Sequence, residues 1–586
     1  MEKRDLSSLL LASRDVVNVP VLDETSFHLG HYCDGSLLKF HGVVRDVQDP
    51  ELVHLGDDIS LLENQAALVE RLPLVVTVFP HISDWAKRTY RAKAIGDQND
   101  GHCSESDGCC SGSDGPATNK GTKRSNTAVD KEMDELSQQD QEEAHVKKSK
   151  PVAMQKQQDC RLVPQAVNIY VYDGQYKDMP LDAFKVNEAF EFVGILDLMV
   201  PGTNTKKDIA GSVQNVTQLE ELQISDCIEE MQHKCQSGVV LHCSHVNRLE
   251  DVHHVRPHES SEYYKQIQVS NDTRTKFCLD EWTKLGQTAD VDTMRNQIVD
   301  YLTQTVCGDK LAAEYLLLGL VSHVYSRADP STPLGNLSLN LSLAKSCTEE
   351  QKQDFIARIL QTLKSLMPMV ARVDLSLEEL NSTKFMPHKD YEREILLGGV
   401  LQVANGTTVL VNETALTAGK LNDQGVKNIA ALQSLIDKML LPYDFHYYNM
   451  DFPQDVAVVT VSEGKSILPV TVSVPVVSPA GTNAVVQPCL LPEEHVLECF
   501  RVFLSVLRSF VVTIGNEEAE IAEKHYVECR KSQQKVALED LHRWLRLARL
   551  VALSRGEGQI SKGSWKAMLM LETERLARLP TENPQL

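Results

Sequence analysis

A chain of 586 residues is long enough for two to four domains, and 42% hydrophobic residues are typical of globular cores. The formal net charge of −23, from 82 acidic and 59 basic side chains, opposes non-specific binding to a phosphate backbone. No apolar stretch reaches the roughly 18 residues that predict a membrane span, and Met1–Asp15 has too short an apolar run for a signal peptide. Fourteen scattered cysteines predict free thiols, and so a soluble protein of a reducing compartment.

The first part of the chain, residues 1–95, predicts a β-rich region with a little helix at its start. Ser36–Val47 alternates apolar and polar residues before the turn signal Asp49-Pro50, and Leu72–Pro80 predicts a second strand. Strands of this kind with long connections favour a small barrel such as an OB fold.

Residues 96–160 have a different composition, strongly polar throughout and nearly free of aliphatic side chains in their first half. Such a segment buries too little apolar surface to offset its ordering entropy, so it is predicted to be a disordered linker of mixed acidic and basic charge. Basic clusters at 120–124 and 147–150 fit either a nuclear import signal or ordinary linker charge, and the sequence leaves both interpretations open.

The β-rich pattern resumes over residues 161–290, where Val167–Tyr172, Phe184–Leu196 and Gly238–Cys243 predict strands. The linker is therefore predicted to be an insertion within one β-rich domain. Residues that resemble metal ligands in this region are His242, Cys243, His245, His253, His254 and His258. Their irregular spacing favours a polar surface over a zinc site.

Residues 291–490 predict an α/β core. Val306–Val321 predicts a buried helix, Leu337–Leu343 a strand of period two and Glu349–Leu366 a further helix. This order is that of an AAA+ ATPase core, in which the strand feeds a glycine-rich turn that cradles phosphate at the helix N-terminus.

The predicted phosphate loop is degenerate. Lys345-Ser346 stands in the turn, but no glycine precedes it there, so the backbone cannot wrap a phosphate. A second candidate, Gly464-Lys465-Ser466, resembles the end of a Walker A motif. Its first glycine would fall at Val459, and Pro469 follows where a helix should begin. Neither segment predicts ATP binding.

The Walker B position is degenerate as well. Gly398–Thr414 predicts a hairpin with its turn at Asn405-Gly406, followed by a strand that ends at Asn412-Glu413. An active ATPase has an Asp for the metal and a Glu that polarises water at this point. The Asn412 amide is a poorer magnesium ligand than a carboxylate, so Glu413 alone does not predict hydrolysis.

No other pattern in the sequence predicts an enzyme, and we assign no catalytic, cofactor-binding or metal-binding residues. The chain is therefore predicted to be non-enzymatic and to need no cofactor. The polar-aromatic segment Phe385–Tyr391, with His388, Lys389 and Asp390 adjacent, fits either a contact motif or a well-satisfied loop.

Residues 491–586 predict a C-terminal helical lid. The predicted helices are Glu494–Ile514, Glu517–Lys531, Leu538–Leu553 and Lys562–Leu579. The fold class is therefore a multidomain α/β protein: a β-rich OB-like domain, a degenerate AAA+-like core without a P-loop, and a lid.

Several blocks together resemble the minichromosome maintenance (MCM) complex-binding protein family. They are GDKLAAEYLLLGLVSHVYSR at 308–327, KFMPHKDY at 384–391, FPQDVAVVTVSEGKSILP at 452–469, LLKFHGVVRDVQDPEL at 37–52 and FKVNEAFEFVGIL at 184–196. The resemblance covers nearly the whole chain outside the linker, and the combination is specific. The start of the chain is shorter than expected for the family.

The resemblance implies a nuclear protein of DNA replication that binds subunits of the MCM replicative helicase. It would stand in for one subunit, act in assembly, chaperoning or unloading, and so affect the cell cycle, cell division and sister chromatid cohesion. It implies indirect chromatin association, without sequence-specific nucleic-acid or membrane binding. The alternatives are a nucleotide-dependent ATPase or helicase subunit, and an OB protein that binds single-stranded DNA.

Overall fold

The computed structural model describes residues 19–22, 32, 34–54, 68–96, 166–172, 184–198, 239–249, 254–255, 276, 291–391, 395–477, 490–532 and 536–579. The predicted linker, with both basic clusters, lies outside these residues apart from Gly96, as do His253 and His258. The described residues form a mixed α/β fold with four sheets and ten helices, which confirms the predicted fold class at that level.

Six strands from the first part of the chain form one sheet. They are β1 Leu37–Val47, β2 Glu51–His54, β3 Leu68–Thr77, β4 Ala166–Tyr172, β5 Ala189–Leu198 and β6 Val239–Arg248. Five of them close into a ring in the order β1-β3-β4-β6-β5, in which β5 pairs again with β1 and β2 extends β3 at its outer end. All neighbours in the ring are antiparallel except β4 and β6. Strands from before and after residues 96–160 therefore share one barrel.

The barrel interior is filled by alternate side chains, as closure of a small sheet requires. Phe40, Ile169, Phe192 and Leu241 are among the buried residues of this core.

The barrel wall also buries a charged cluster around Glu191. The Glu191 carboxylate lies 3.1 Å from Lys39 Nζ and 2.9 Å from His41 Nε2, and it accepts a hydrogen bond from Asn247 Nδ2 at 3.1 Å. Burial alone would raise the pKa of Glu191, but the contacts with His41 and Lys39 lower it well below its ordinary value. The cluster is therefore charged and internally paired.

The second part of the chain contains the remaining strands. They are β7 Ser326–Asp329, β8 Thr332–Leu334, β9 Ser338–Leu343, β10 Val370–Asp374, β11 His388–Asp390, β12 Ile395–Leu397, β13 Thr408–Asn412, β14 Leu440–Asp444, β15 Asn449–Pro453, β16 Ala457–Glu463 and β17 Val472–Pro475.

The helices follow the same order along the chain. They are α1 Asp84–Gly96, α2 Val291–Thr305, α3 Lys310–Val321, α4 Glu349–Leu366, α5 Leu377–Ser382, α6 Asp423–Lys438, α7 Glu494–Arg508, α8 Asn516–Lys531, α9 Leu538–Ser554 and α10 Lys562–Arg578. Among the helices that the structure describes, none is long and apolar enough to cross a bilayer.

A five-stranded parallel sheet forms the centre of this part, in the order β10-β13-β16-β9-β17. Its inner strands are buried on both faces, which explains why β13 and β16 read as nearly continuous apolar runs. The strand and helix predicted around the degenerate phosphate loop are confirmed as β9 and α4.

The C-terminal helices α7–α10 are all present where the sequence predicts them, but α7 ends at Arg508, whereas the prediction continues it to Ile514. Their apolar faces join α2, α3, α4 and one face of the parallel sheet in a single hydrophobic cluster. Leu316, Phe503 and Leu550, from three different helices, are each at most 2% exposed in it. The helices therefore pack onto the core and share its interior.

A small mixed sheet, β12-β11-β14-β15, lies beside the parallel one. The prediction of a hairpin within Gly398–Thr414 is wrong. A turn does occur at Asn405-Gly406, with Gly406 at a φ of 84°, but β12 ends at Leu397 and pairs with β11. The residues before the turn are held instead by long-range contacts, among them the hydrogen bond from Leu401 N to Phe385 O at 3.0 Å.

Side chains at the start of α1 join the barrel to the parallel core. Trp85 Nε1 donates to Lys364 O at 3.0 Å, Ser83 Oγ donates to Met367 O at 2.7 Å, and the Arg501 guanidinium lies 4.3 Å from the Trp85 ring centroid. The start of α1 is therefore one of the connections between the two sheets.

Candidate functional site

The carboxyl ends of β9, β13 and β16 meet at one edge of the parallel sheet, which we call the carboxyl edge (residues 343–348, 412–414 and 463–468). Open α/β sheets bind their ligands in the crevice outside the carboxyl ends of the strands. The structure brings the predicted degenerate motifs together here: a Cβ built on Gly464 would lie 3.4 Å from Lys345 Cε, and Glu413 contacts Ser466.

The turn after β9 satisfies its own backbone. Thr348 caps α4, because its Oγ1 accepts from Gln351 N at 3.3 Å while Gln351 Oε1 accepts from Thr348 N at 2.9 Å. Cys347 N donates to Ala344 O at 3.0 Å. Backbone N–H groups at this end of a helix are the ones that would hold a phosphate. The N–H groups of Cys347, Thr348 and Gln351 already donate to acceptors of the chain itself.

Lys352 carries the buried positive charge nearest to this turn on α4. Its Nζ donates to Glu349 Oε1 at 2.6 Å and to Glu463 Oε2 at 2.5 Å, and its side chain is 6% exposed. The hydrogen bonds to Glu349 and then Glu463 raise the pKa of Lys352. The two carboxylates neutralise this charge and would repel a phosphate placed at the edge.

Asn412 at the end of β13 has a fully engaged amide. Its Nδ2 donates to Asp374 Oδ1 at 2.6 Å, and its Oδ1 accepts from Thr414 N at 3.1 Å and from Thr414 Oγ1 at 2.7 Å. Asp374 in turn forms an ion pair with Arg372 at 2.8 Å. Asn412 is 1% exposed, so its side-chain oxygen does not face an open metal site.

Glu413, the one carboxylate left at the Walker B position, is also bonded within the chain. Its Oε1 accepts from Ser466 Oγ at 2.5 Å and its Oε2 from Ile467 N at 3.2 Å. Burial raises the pKa of Glu413, and these two hydrogen bonds act against that rise. These hydrogen bonds hold the carboxylate against the loop after β16. A catalytic glutamate would instead need to contact a water molecule.

Gly464-Lys465-Ser466 forms a bend after β16 and no helix begins there. Gly464 has a φ of +74°, donates to Leu343 O at 3.1 Å and accepts from Ser342 Oγ at 2.7 Å. A left-handed glycine permits this close approach to β9. Gly464 therefore fastens two loops of the carboxyl edge to each other.

The segment Phe385–Tyr391 combines both interpretations left open by the sequence. Phe385 and Met386 are buried in the core beside α6, whereas Tyr391 is 53% exposed. Burial, together with the charge of Lys384, lowers the pKa of His388. The first half of the segment is thus structural, and only its end reaches the surface.

The histidines that resembled metal ligands have other partners where the structure describes them. His242 Nδ1 contacts Tyr172 Oη at 2.6 Å, and His254 Nδ1 contacts Tyr90 Oη at 2.8 Å. The Cys243 thiol is buried, which raises its pKa to about 12. Over the described ranges, no three His, Cys, Asp or Glu side chains are grouped as a metal site would require.

Sequence reasoning missed one surface. The turn between β14 and β15 exposes Tyr447 and Tyr448, at 84% and 55%, next to Tyr391. The available signal was the run Phe445–Tyr448, which places four consecutive aromatic or histidine side chains between two short strands.

The fold and site define a mixed α/β protein in which internal hydrogen bonds engage the side chains at the carboxyl edge of its parallel sheet. The chain matches the family model described as Mini-chromosome maintenance replisome factor over residues 52–579, and it belongs to that family. The resemblance stated from the sequence is thereby confirmed.

Relatives that carry the name mini-chromosome maintenance complex-binding protein come from animals and a plant. The protein of Bos taurus is 32% identical over 415 residues, which cover 68% of this chain and 60% of the relative. That of Danio rerio is 28% identical over 615 residues, which cover 96% and 90%. That of Arabidopsis thaliana is 32% identical over 409 residues, which cover 69% and 62%. The matched part thus spans about 60% of the length of the bovine relative.

Proposed function

We propose that this chain is a non-enzymatic partner of the MCM replicative helicase, which binds its subunits and occupies the place of one of them. Family membership and the name of the relatives support binding to that complex. On this proposal the protein works in the nucleus during DNA replication and serves to assemble, chaperone or unload the helicase.

The strand orders support likeness to a helicase subunit. Counted along the chain, the parallel sheet has the order 5-1-4-3-2, which is the order of an AAA+ ATPase core. The five-stranded ring, with its single parallel pair between the third and fifth strands, has the order of an OB barrel. We therefore interpret the two parts as OB-like and AAA+-like, and the C-terminal helices as the equivalent of a lid.

The observation that carries the non-enzymatic part of the proposal is the filled carboxyl edge. Phosphate binding would require the N–H groups of Thr348 and Gln351, which are capped, and hydrolysis would require Glu413, which is held by Ser466. An ATPase could reopen such a site only by breaking several internal hydrogen bonds at once.

The proposal implies a mechanism in which the helicase subunits recognise the shape of this chain and no nucleotide is bound to it. A surface that resembles the usual neighbour lets a helicase subunit dock against this chain. Because the chain contributes no nucleotide to the contact, the assembly lacks the ligand that links adjacent ATPase subunits. The ring is then held incomplete, which suits storage of subcomplexes or removal of a closed ring. Specificity comes from shape and charge complementarity.

Reconstitution from purified components tests this proposal. The chain is mixed with an equimolar set of helicase subunits in the absence of nucleotide, with ADP and with a non-hydrolysable ATP analogue, and complexes are sized by chromatography with light scattering. We expect a stable complex that lacks one helicase subunit and forms equally in all three conditions. A Glu413→Gln variant of this chain is the matched control and should assemble like the wild type.

Two outcomes contradict the proposal. Assembly that requires nucleotide bound to this chain would favour an ATPase subunit, and a loss of assembly in the Glu413→Gln variant would point in the same direction. If the chain bound no helicase subunit, it would still belong to the family but would lack the proposed function.

A further inference from the structure

The turn of the β14–β15 hairpin presents a cluster of exposed aromatic side chains, which we call the tyrosine hairpin: Tyr391, His446, Tyr447, Tyr448 and Met450. Tyr447 is 84% exposed, Tyr448 55% and Met450 46%. Tyrosine is among the residues most enriched at the centres of protein interfaces, and an exposed group of this kind marks a contact surface.

The cluster is held in one shape by its own contacts. Tyr391 Oη donates to Phe445 O at 2.9 Å, and Phe445 N donates to Tyr448 O at 3.0 Å. The Phe445 and Tyr448 rings stack with centroids 5.3 Å apart, and the rings of His446 and Tyr447 meet edge to face at 4.9 Å. His446 adopts a left-handed φ of 66°, with its N–H bonded to Asp444 Oδ1 at 2.8 Å. Such preorganisation lowers the entropy lost on binding.

The base of the hairpin is anchored in the core. Tyr443 is fully buried, its ring centroid lies 4.4 Å from that of Phe452, and its Oη accepts from Gln402 Nε2 at 3.0 Å. Five residue pairs join β14 and β15 below the turn. The tyrosines therefore stand on a rigid support, as positions that contribute strongly to binding usually do.

The charge of the hairpin selects the kind of partner. Leu440–Pro453 contains Asp444 and Asp451 and no Lys or Arg. Asp444 already forms an ion pair with Lys427 of α6 at 3.3 Å, so the exposed Asp451 is the carboxylate that the hairpin offers to a partner. In the β14–β15 register, Asp444 faces Asn449 and Pro442 faces Asp451, which places both carboxylates on the same face. Aromatic faces and carboxylates together attract guanidinium and ammonium groups and repel phosphates.

We propose that the tyrosine hairpin docks an arginine- or lysine-bearing surface of a helicase subunit. This inference rests on the proposed function and adds the contact site and the charge of the surface that it binds. Cations of the partner lie over the Tyr447 and Tyr448 rings, and the carboxylate of Asp451 completes the pairing.

The test is a binding titration of the intact chain against each purified helicase subunit by biolayer interferometry. It compares the wild type with Tyr447→Ala/Tyr448→Ala, Tyr447→Phe/Tyr448→Phe and Asp451→Lys. Val426→Ala is the matched control, because Val426 on the neighbouring helix α6 is 57% exposed, close to the 55% of Tyr448. Circular dichroism melts check that every variant is folded.

For at least one subunit, we expect the double Ala variant to bind about tenfold or more weakly, since loss of two interface aromatics costs roughly 1.4 kcal/mol or more. The double Phe variant keeps the ring faces and stays within about threefold of the wild type. Asp451→Lys weakens binding through charge repulsion and lowers its salt dependence. The Val426→Ala control is unchanged.

The outcomes separate this inference from the function on which it rests. Wild-type chain that binds no subunit overturns both. Wild-type chain that binds, with the double Ala variant binding equally well, overturns the tyrosine hairpin alone. A parallel titration with a labelled single-stranded oligonucleotide completes the test: binding there that depends on Tyr447 and Tyr448 would make the surface a base-stacking platform and overturn the inference.

Discussion

The carboxyl edge and the tyrosine hairpin lie on neighbouring sheets and treat their functional groups in opposite ways. At the edge, Asn412, Glu413 and Lys352 are bonded to groups of the chain itself. At the hairpin, Tyr447 and Tyr448 point to solvent from a rigid turn. The comparison teaches that a degenerate sequence motif and the internal hydrogen bonds around it are two separate observations. At the carboxyl edge, internal hydrogen bonds engage the groups that a ligand would need.

The largest effect is expected where internal pairing is most deeply buried, in the charged cluster of the barrel wall. Replacing Glu191 by Leu leaves the Lys39 ammonium group buried without its counter-ion and His41 Nε2 without its partner, and the cost should be about 3–5 kcal/mol. Hydrogen exchange of the barrel amides across a urea series measures this cost. A loss below 1 kcal/mol would mean that water already solvates this cluster.

The same cluster predicts sensitivity to acid. The contacts of Glu191 lower its pKa in the folded state below the ordinary value of 4.5, so its stabilisation is fully present above that pH. It is lost as the pH falls below 4.5 towards the folded-state pKa. Stability of the wild type should therefore fall more steeply below pH 4.5 than that of Glu191→Gln, and equal slopes in the two proteins would contradict the assignment.

At the carboxyl edge, Glu413→Ala should destabilise the chain by about 1–3 kcal/mol, because Ser466 Oγ and Ile467 N lose their buried acceptor. Glu413→Gln keeps one carbonyl oxygen and should cost less. Thermal unfolding of the two variants beside the wild type gives the ranking. If alanine were neutral, the edge would be open to water and the argument for a filled site would weaken.

An aspartate at position 412, where an AAA+ core would have its Walker B acid, should lower the stability of the chain and should not activate ATP hydrolysis. Asn412→Asp places a second carboxylate at the 2.6 Å contact with Asp374, and the repulsion should cost about 1–2 kcal/mol at pH 7. The pair would bind a proton with a raised pKa, so the cost should shrink as the pH falls towards 4. Stimulation of ATP hydrolysis by this substitution would refute the filled edge.

A ligand that binds the folded chain raises its stability by about 2.7 kcal/mol at a hundredfold excess over Kd. Millimolar Mg-ATP should therefore leave the unfolding temperature unchanged if the edge is filled. Inorganic phosphate at the same ionic strength is the control. A shift with ATP alone would identify a nucleotide site that the internal hydrogen bonds do not block.

The smallest effect on stability is expected at the tyrosine hairpin. Tyr447→Ala removes a side chain that is 84% exposed, so the free energy of unfolding should change by about 0.5 kcal/mol or less. Together with a large loss of helicase binding, this would complete the contrast with Glu413→Ala. A strongly destabilised Tyr447→Ala would instead make the tyrosine part of the fold.

The sequence predicts the elements of this protein better than their pairings. Periodicity correctly places β9 and α4, whose apolar side chains recur at the spacing of a strand and of a helix, and it also identifies the four C-terminal helices. It misplaces the hairpin before Asn405, since a turn signal identifies a reversal but not the partner of the preceding strand. The missing glycines of the predicted phosphate loop can be read from the sequence. The hydrogen bond between Ser466 and Glu413 cannot, because 53 residues separate them.

The closure of the barrel has a consequence for the long connection between β3 and β4. Thr77 pairs with Ala166, so the chain leaves and re-enters the sheet at adjacent positions. Hydrogen bonds of the sheet therefore join the two parts of the barrel independently of residues 97–165, and cleavage of the chain near residue 120 should leave both parts associated.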